Sequence, residues 1–443
     1  MRIAPGLLCL TLASAARANP ASDVPSAADP GNAADAHVTL DYGYEVLKST
    51  IERESVSSSA PTGPIDRIND LTFQQFRHVL TPKLAIGIYH DTWVSVALPI
   101  TIQQARELEL GNNVTRDGSS TVTDGLLPID GFDATDPGTP TPGDLLFRGQ
   151  DRKGVDQVHL GVGVAPMSQK RDPTKPTWKL GADVRLAVGK IMKFDSMDPG
   201  SESGVGRGVH ELRLWTSFAR RFARTEGWFE MFYQVPLRER AGSLYGNPGF
   251  GATNTGAGQQ GGVSFGVEAY VLDDKVNRNR ISLDVGASVV GHFEGRDYTE
   301  MWEVFALAGD SRGSGSLILD ADPTVADVQP LSHPGITNFE NYLQTSAKFA
   351  LRAALGDHAK FAVTVDINWL TDHAITFADA GVDFPLCGGS SGDRCENEDN
   401  DLVNPSTAEV NPLHVPRVDL VGHRYLSSNN LGVVIGVQGQ VLW

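Results

Sequence analysis

LGVVIGVQGQVLW, residues 431–443, decides the fold. Leu431, Val433, Ile435, Val437, Val441 and Trp443 share one parity, while glycines and glutamines take most of the other. A period of two is the signature of a strand with one apolar face, because successive side chains point to opposite sides of the backbone. No helix of period 3.6 fits this stretch.

The pattern recurs upstream. Val38, Leu40, Tyr42, Tyr44 and Val46 alternate. So do the runs 84–88, 94–102, 158–164, 178–188, 212–218, 229–235, 263–271, 281–289, 343–351 and 361–369. The opposite parity carries Asp41, Glu45, Lys179, Asp183, Arg185, Glu211, Arg213, Glu230, Glu268, Asp284, Lys348, Arg352 and Asp366 among small polar residues. On a sandwich these form a solvated face; on a closed barrel they form the lumen wall.

The connections separate the two. Short turns near 90–92, 167–176, 220–226, 273–280 and 356–359 alternate with long Gly, Asp, Pro and Ser stretches. The long stretches fall at 49–66, 103–155, 190–207, 238–261, 294–340 and 371–420. A sandwich has no reason to put every long loop at one end. The sequence therefore predicts an all-β fold, a transmembrane antiparallel up-and-down β-barrel of about 12 strands. Short periplasmic turns and long extracellular loops mark the bacterial outer-membrane, porin-like pattern. The segment 71–102 divides at Pro82 or at 90–92. Tyr42, Tyr44, Trp93, Trp178, Trp228, Tyr233 and Trp369 sit near strand ends, where interfacial girdles place aromatics. Trp443, closing an alternating strand, resembles the signal that outer-membrane assembly machinery recognises. The expected partners are that machinery, the lipid bilayer with its lipopolysaccharide, and a small-molecule solute.

The ends divide the chain further. Arg2, an apolar run from Ile3 to Ala15 and Ala16-Arg17-Ala18 have the three parts of a secretory signal, so residues 1–18 are expected to be removed. Residues 19–36, NPASDVPSAADPGNAADA, hold little to bury and are expected to form a disordered periplasmic tail. The barrel is assigned to 37–443.

Composition excludes several functions. The formal charge is −17, and loss of Arg2 and Arg17 leaves −19, which opposes binding to nucleic acid. Mean hydropathy is −0.19 and no apolar run after the signal is long enough for a helical span. The 11 histidines are scattered, no GxSxG occurs, and no phosphate-binding glycine loop joins a strand to a helix, so neither an enzyme nor a cofactor is expected. Asp130–Asp136 and Glu396–Asp401 offer hard oxygen ligands to Ca²⁺, although neither matches an EF-hand and a solvated acidic loop explains both. Cys387 and Cys395 in CGGSSGDRC are a candidate disulfide in an oxidising compartment, with metal binding the weaker option.

The candidate functional residues are lumen-wall charges: Asp183, Arg185, Glu211, Arg213, Glu230, Glu268, Lys348 and Arg352. Their default role is a cross-strand charge ladder, and a selectivity constriction is the functional alternative.

DTWVSVALPIT (Asp91–Thr101), QVHLGVGVAPM (Gln157–Met167), WKLGADVRLAVGK (Trp178–Lys190) and FARRFARTEGWFEMFYQVPL (Phe218–Leu237) resemble strands of a known family. It is the outer-membrane β-barrel transporter family associated with the meta-cleavage pathway of phenol degradation. The likeness extends over most of residues 36–443 and transfers no functional residue, and the acidic loops here are longer. The resemblance implies a channel or transporter for small hydrophobic or aromatic molecules, with passive passage favoured. A structural or adhesive surface barrel acting through its long loops is the alternative.

Overall fold

The computed structural model describes residues 22–443 except 30–31, 57–64, 246–255, 275, 311, 313–315, 321–329 and 379–413. The signal peptide, Cys387, Cys395 and Glu396–Asp401 lie outside the described residues.

Twelve strands close into one antiparallel barrel. They are β1 (Ala36–Val56), β2 (Ile65–Tyr89), β3 in two pieces (Thr92–Ala97 and Ile100–Leu110), and β4 in two pieces (Arg152–Val155 and Gln157–Met167). Next come β5 (Thr177–Ala187), β6 (Val209–Phe222), β7 (Thr225–Glu239) and β8 (Gln260–Asp274). Last are β9 (Asn279–His292), β10 (Tyr342–Leu355), β11 (Ala359–Leu370) and β12 (Tyr425–Leu442). Each pairs with its neighbours in sequence, and β12 returns to β1 from Leu442↔His37 to Tyr425↔Arg53. Trp443 N–H donates to the Ala36 carbonyl at 3.0 Å, fastening the seam to its end. Closure pairs every strand edge, which a bilayer requires.

The apolar parity faces outward. Leu40, Ile88, Val162, Leu214, Phe265, Val285, Leu351, Phe361 and Val437 are each about half exposed around the barrel. This band is the lipid-contacting surface of a transmembrane barrel of the outer-membrane type. The inward parity is polar in the lower half, with Thr39, Asp41 and Glu45 buried on β1.

Above the band the polarity of the two faces inverts. Leu47 and Ile51 are fully buried inside β1 while Lys48 is exposed outside. Leu71, Phe73 and Leu108 repeat the inversion on β2 and β3. β1 and β2 run for 21 and 25 residues, about twice what a bilayer needs. Within the predicted loop 49–66, residues 49–56 and 65–66 are strand. Alternation faded there because the outer face has left the lipid and the inner face has gained apolar partners. The division within 71–102 falls at His90–Asp91; Pro82 lies mid-strand opposite Leu40. The ladder of β3 breaks at Pro99, which has no N–H to give.

The extracellular loops turn inward and pack as a cap. It contains α1 (Ser120–Thr123), α2 (Trp302–Ala308) and α3 (Pro416–Asp419). Leu126, Leu146, Phe147, Val304, Phe305, Leu317 and Val418 form one core with Leu47, Ile51, Leu71, Phe73 and Tyr425 of the wall. Two buried arginines tie the loops to the wall. Arg152 bonds Glu303 of α2 at 2.6 Å, with side chains 1% and 3% exposed, and donates to the carbonyls of Lys193, Glu202 and Gly204. Arg53 bonds Asp124 at 2.5 Å and donates to the carbonyls of Ser120 and Arg417.

The tail expected to be disordered is ordered where it is described. Ala27–Asp29 and Asn32–Ala34 form a hairpin, and Ala27 and His90 exchange backbone hydrogen bonds at 3.1 and 2.6 Å. Composition misleads here because the tail has nothing of its own to bury; its partners belong to the barrel.

Candidate functional site

Between the cap and the N-terminal segment, the lower lumen keeps a cavity of about 270 Å³. Its wall comes from β1 to β7, β12 and the N-terminal segment, so strand register alone sets which side chains face it.

All eight predicted wall charges sit on the inward parity. Asp183, Arg185, Arg213 and Glu230 line the cavity. In register, Asp183 stands opposite Arg213 and Arg185 opposite Glu211 across β5 and β6. Arg213 bonds Glu230 of β7 at 3.2 Å and stacks on Phe232 at 4.0 Å from the ring centroid. The other four stand away from the cavity. Glu211 is gripped by Arg207 at 3.0 Å and accepts from Gln157 at 2.9 Å. Glu268 accepts from the Ser282 hydroxyl. Lys348 faces Asp366 at 3.4 Å, and Arg352 bonds Asp284 at 2.6 Å. These cross-strand pairs satisfy charge within the wall.

Arg77 of β2 was not singled out from sequence. It bonds Glu45 of β1 at 2.6 Å, and His159 of β4, a wall residue by its place in a strand, lines the same space. The inward parity marked these positions, but nothing in one sequence ranks one wall charge above another. Trp93 and Trp228 are corrections. Both were assigned to the aromatic girdle, yet Trp93 is 7% exposed and lines the cavity, and Trp228 donates its indole N–H to Asp284 at 2.9 Å. Parity carried that signal, since Trp93 alternates with Ser95 and Ala97, and Trp228 with Glu230. Tyr42, Tyr233 and Trp369 do lie on the outer face, 36%, 45% and 46% exposed.

The N-terminal segment forms the floor. Asp23 lies against Lys360 of β11 at 2.5 Å, and Lys179 of β5 donates to the Asp23 carbonyl at 3.1 Å. Ser26 Oγ donates to the His90 carbonyl at 2.9 Å.

The cap carries its own buried charges. Burial raises the Asp419 carboxyl to about 7, against the Val415 N–H bond and the nearby Arg296, and burial lowers Arg296 to about 10. The Arg312 guanidinium holds the Asp310 carboxyl well below the usual carboxylate range. Asp133, in the Asp130–Asp136 loop, accepts from the Thr135 N–H and hydroxyl at 2.7 Å. Among the described residues, no group of three or more His, Cys, Asp or Glu side chains is placed to hold a metal.

No protein-family model matches the chain, and no curated protein does. Solved structures do. An outer membrane channel of Pseudomonas putida F1 is 7% identical, with 96% of this chain and 98% of that one covered and a TM-score of 0.40. A FadL homologue of Pseudomonas aeruginosa is 7% identical over 92% and 90%, TM-score 0.32. The outer membrane protease OmpT of Escherichia coli is 7% identical over 92% and 97%, TM-score 0.25. At this level of likeness neither cargo nor activity transfers to this chain.

Proposed function

We propose that the chain is an outer-membrane channel through which small solutes diffuse, held here in a closed state. One observation carries the proposal: the lower lumen is walled by charged side chains yet left unfilled, while both ends are covered by segments of the same chain. A barrel built only for rigidity gains by packing its lumen throughout, because voids cost stability. Small hydrophobic or aromatic cargo belongs to the proposal, supported by Trp93 and Trp215 on the cavity wall. So does membership of the meta-cleavage transporter family, supported by the strand pattern. The wall charges are the proposed selectivity elements, Trp443 the assembly signal, and no catalytic step is assigned.

Proteoliposome swelling tests it. Vesicles holding the full chain should swell faster than empty ones in isotonic small sugars or amino acids, and faster still when residues 19–34 are deleted. Swelling at the empty-vesicle rate for both forms would refute a channel. The second reading, a surface barrel acting through its loops, draws support from the packed cap core. Loss of cell-surface attachment on trimming the loops, with no solute flux in any form, would favour it.

A further inference from the structure

One inward row crosses four strands in register: Trp93 of β3, Gly163 of β4, Gly181 of β5 and Trp215 of β6. Both glycines lie mid-strand, where glycine weakens a sheet and usually marks a close approach. A methyl group at Gly163 would collide with the Trp93 ring, and one at Gly181 with the Trp215 ring. Each indole therefore lies over the backbone that a glycine leaves bare. The ring centroids stand 6.4 Å apart with an interplanar angle of 37°, and both rings line the cavity. Two side chains have been given up to make an aromatic face on the wall.

The chain's own N-terminal segment shows what that aromatic face accepts. Val24 packs against the cluster of Ala85, Trp93 and Ala165, against which Trp215 also packs. Its neighbour Asp23 places a carboxylate on Lys360 Nζ, at 2.5 and 2.6 Å to its two oxygens, and its carbonyl on Lys179 Nζ at 3.1 Å. An apolar side chain on the cluster that holds Trp93 and a carboxylate at the lysine thus come from adjacent residues.

We propose that this part of the lumen is a binding site for a small planar aromatic carboxylate of about benzoate size, and that Asp23–Val24 is its internal occupant. The proposal rests on the channel reading and names its substrate class. Indole faces suit a planar ring better than a branched aliphatic group, because flat π surfaces meet over their whole area. Lysine ammonium supplies the point charge that a carboxylate needs.

Equilibrium dialysis of radiolabelled benzoate against the full chain in detergent micelles tests the site. Asp23→Asn loosens the occupant without altering the wall, and should tighten benzoate binding about tenfold. In that background Lys360→Gln, and separately Trp215→Leu, should each weaken it at least tenfold, while Lys360→Arg should retain it. Benzoate should bind the Asp23→Asn form at least tenfold more tightly than cyclohexanecarboxylate or benzyl alcohol. Slower gel migration without boiling than after it would not count as folded barrel, so only heat-modifiable variants are compared. Benzoate binding that is indifferent to Lys360→Gln, or no tighter than cyclohexanecarboxylate, overturns the site even if the barrel passes other solutes. Binding as expected with no flux of any solute would instead remove the channel and leave the site standing.

Discussion

Arg53 shows how much one side chain holds in this molecule. It is 2% exposed, reaches Asp124 and three carbonyls, and its guanidinium lies 4.9 Å from the Tyr425 ring centroid. Arg53→Ala strands those acceptors and should cost the cap about 3 kcal/mol. The expected outcome is an intact barrel whose loops are cut by external trypsin much faster than in the parent chain. Asp419 gives a pH dependence. Its carboxyl is raised to about 7 by burial, so the folded cap binds that proton more tightly than the unfolded chain does. The stability it contributes is fully present below the ordinary carboxylate pKa near 3.8 and is lost as pH rises to about 7. Relative to the intrinsic exchange rate at each pH, amide protection over 414–425 should therefore be higher at pH 5 than at pH 8, and Asp419→Asn should abolish the difference. An equal difference in the variant would assign the effect to another group.

At the scale of elements, α2 is the piece that packs the cap against the barrel wall. Trp302, Glu303, Val304, Phe305, Ala306 and Ala308 are all buried, which describes a helix surrounded on every side. Phe305→Ala removes a fully buried ring and should cost about 3–5 kcal/mol. Proteolysis of the loops should rise, and solute entry with it, while heat-modifiable migration stays. The strands were legible in the sequence because lipid imposes alternation on every one of them. α2 was not, because WEVFALA sits within a long polar stretch and its partners, such as Leu71 and Phe73, lie over 200 residues upstream. Residues 22–29 were hidden for the same reason: Asp23 and Val24 gain their partners only inside the closed barrel. The wall charges were legible as an inward set, from parity. Which of them meet at the cavity depends on register between strands, and that is written in pairings such as Asp183↔Arg213 that no single strand contains.

For the whole molecule, one chain supplies a closed wall, a roof and a floor. The wall is held by backbone pairing all the way round, whereas the roof and floor rest on side-chain contacts that single substitutions reach. The barrel should therefore survive changes that open either end. The central claim is a channel closed by its own segments, and single-channel conductance in planar bilayers tests it most directly. The full chain should conduct rarely or weakly. A form lacking residues 19–34 and carrying Phe305→Ala should conduct in discrete steps. A doubly altered protein that still shifts on heating yet passes no current would contradict the account.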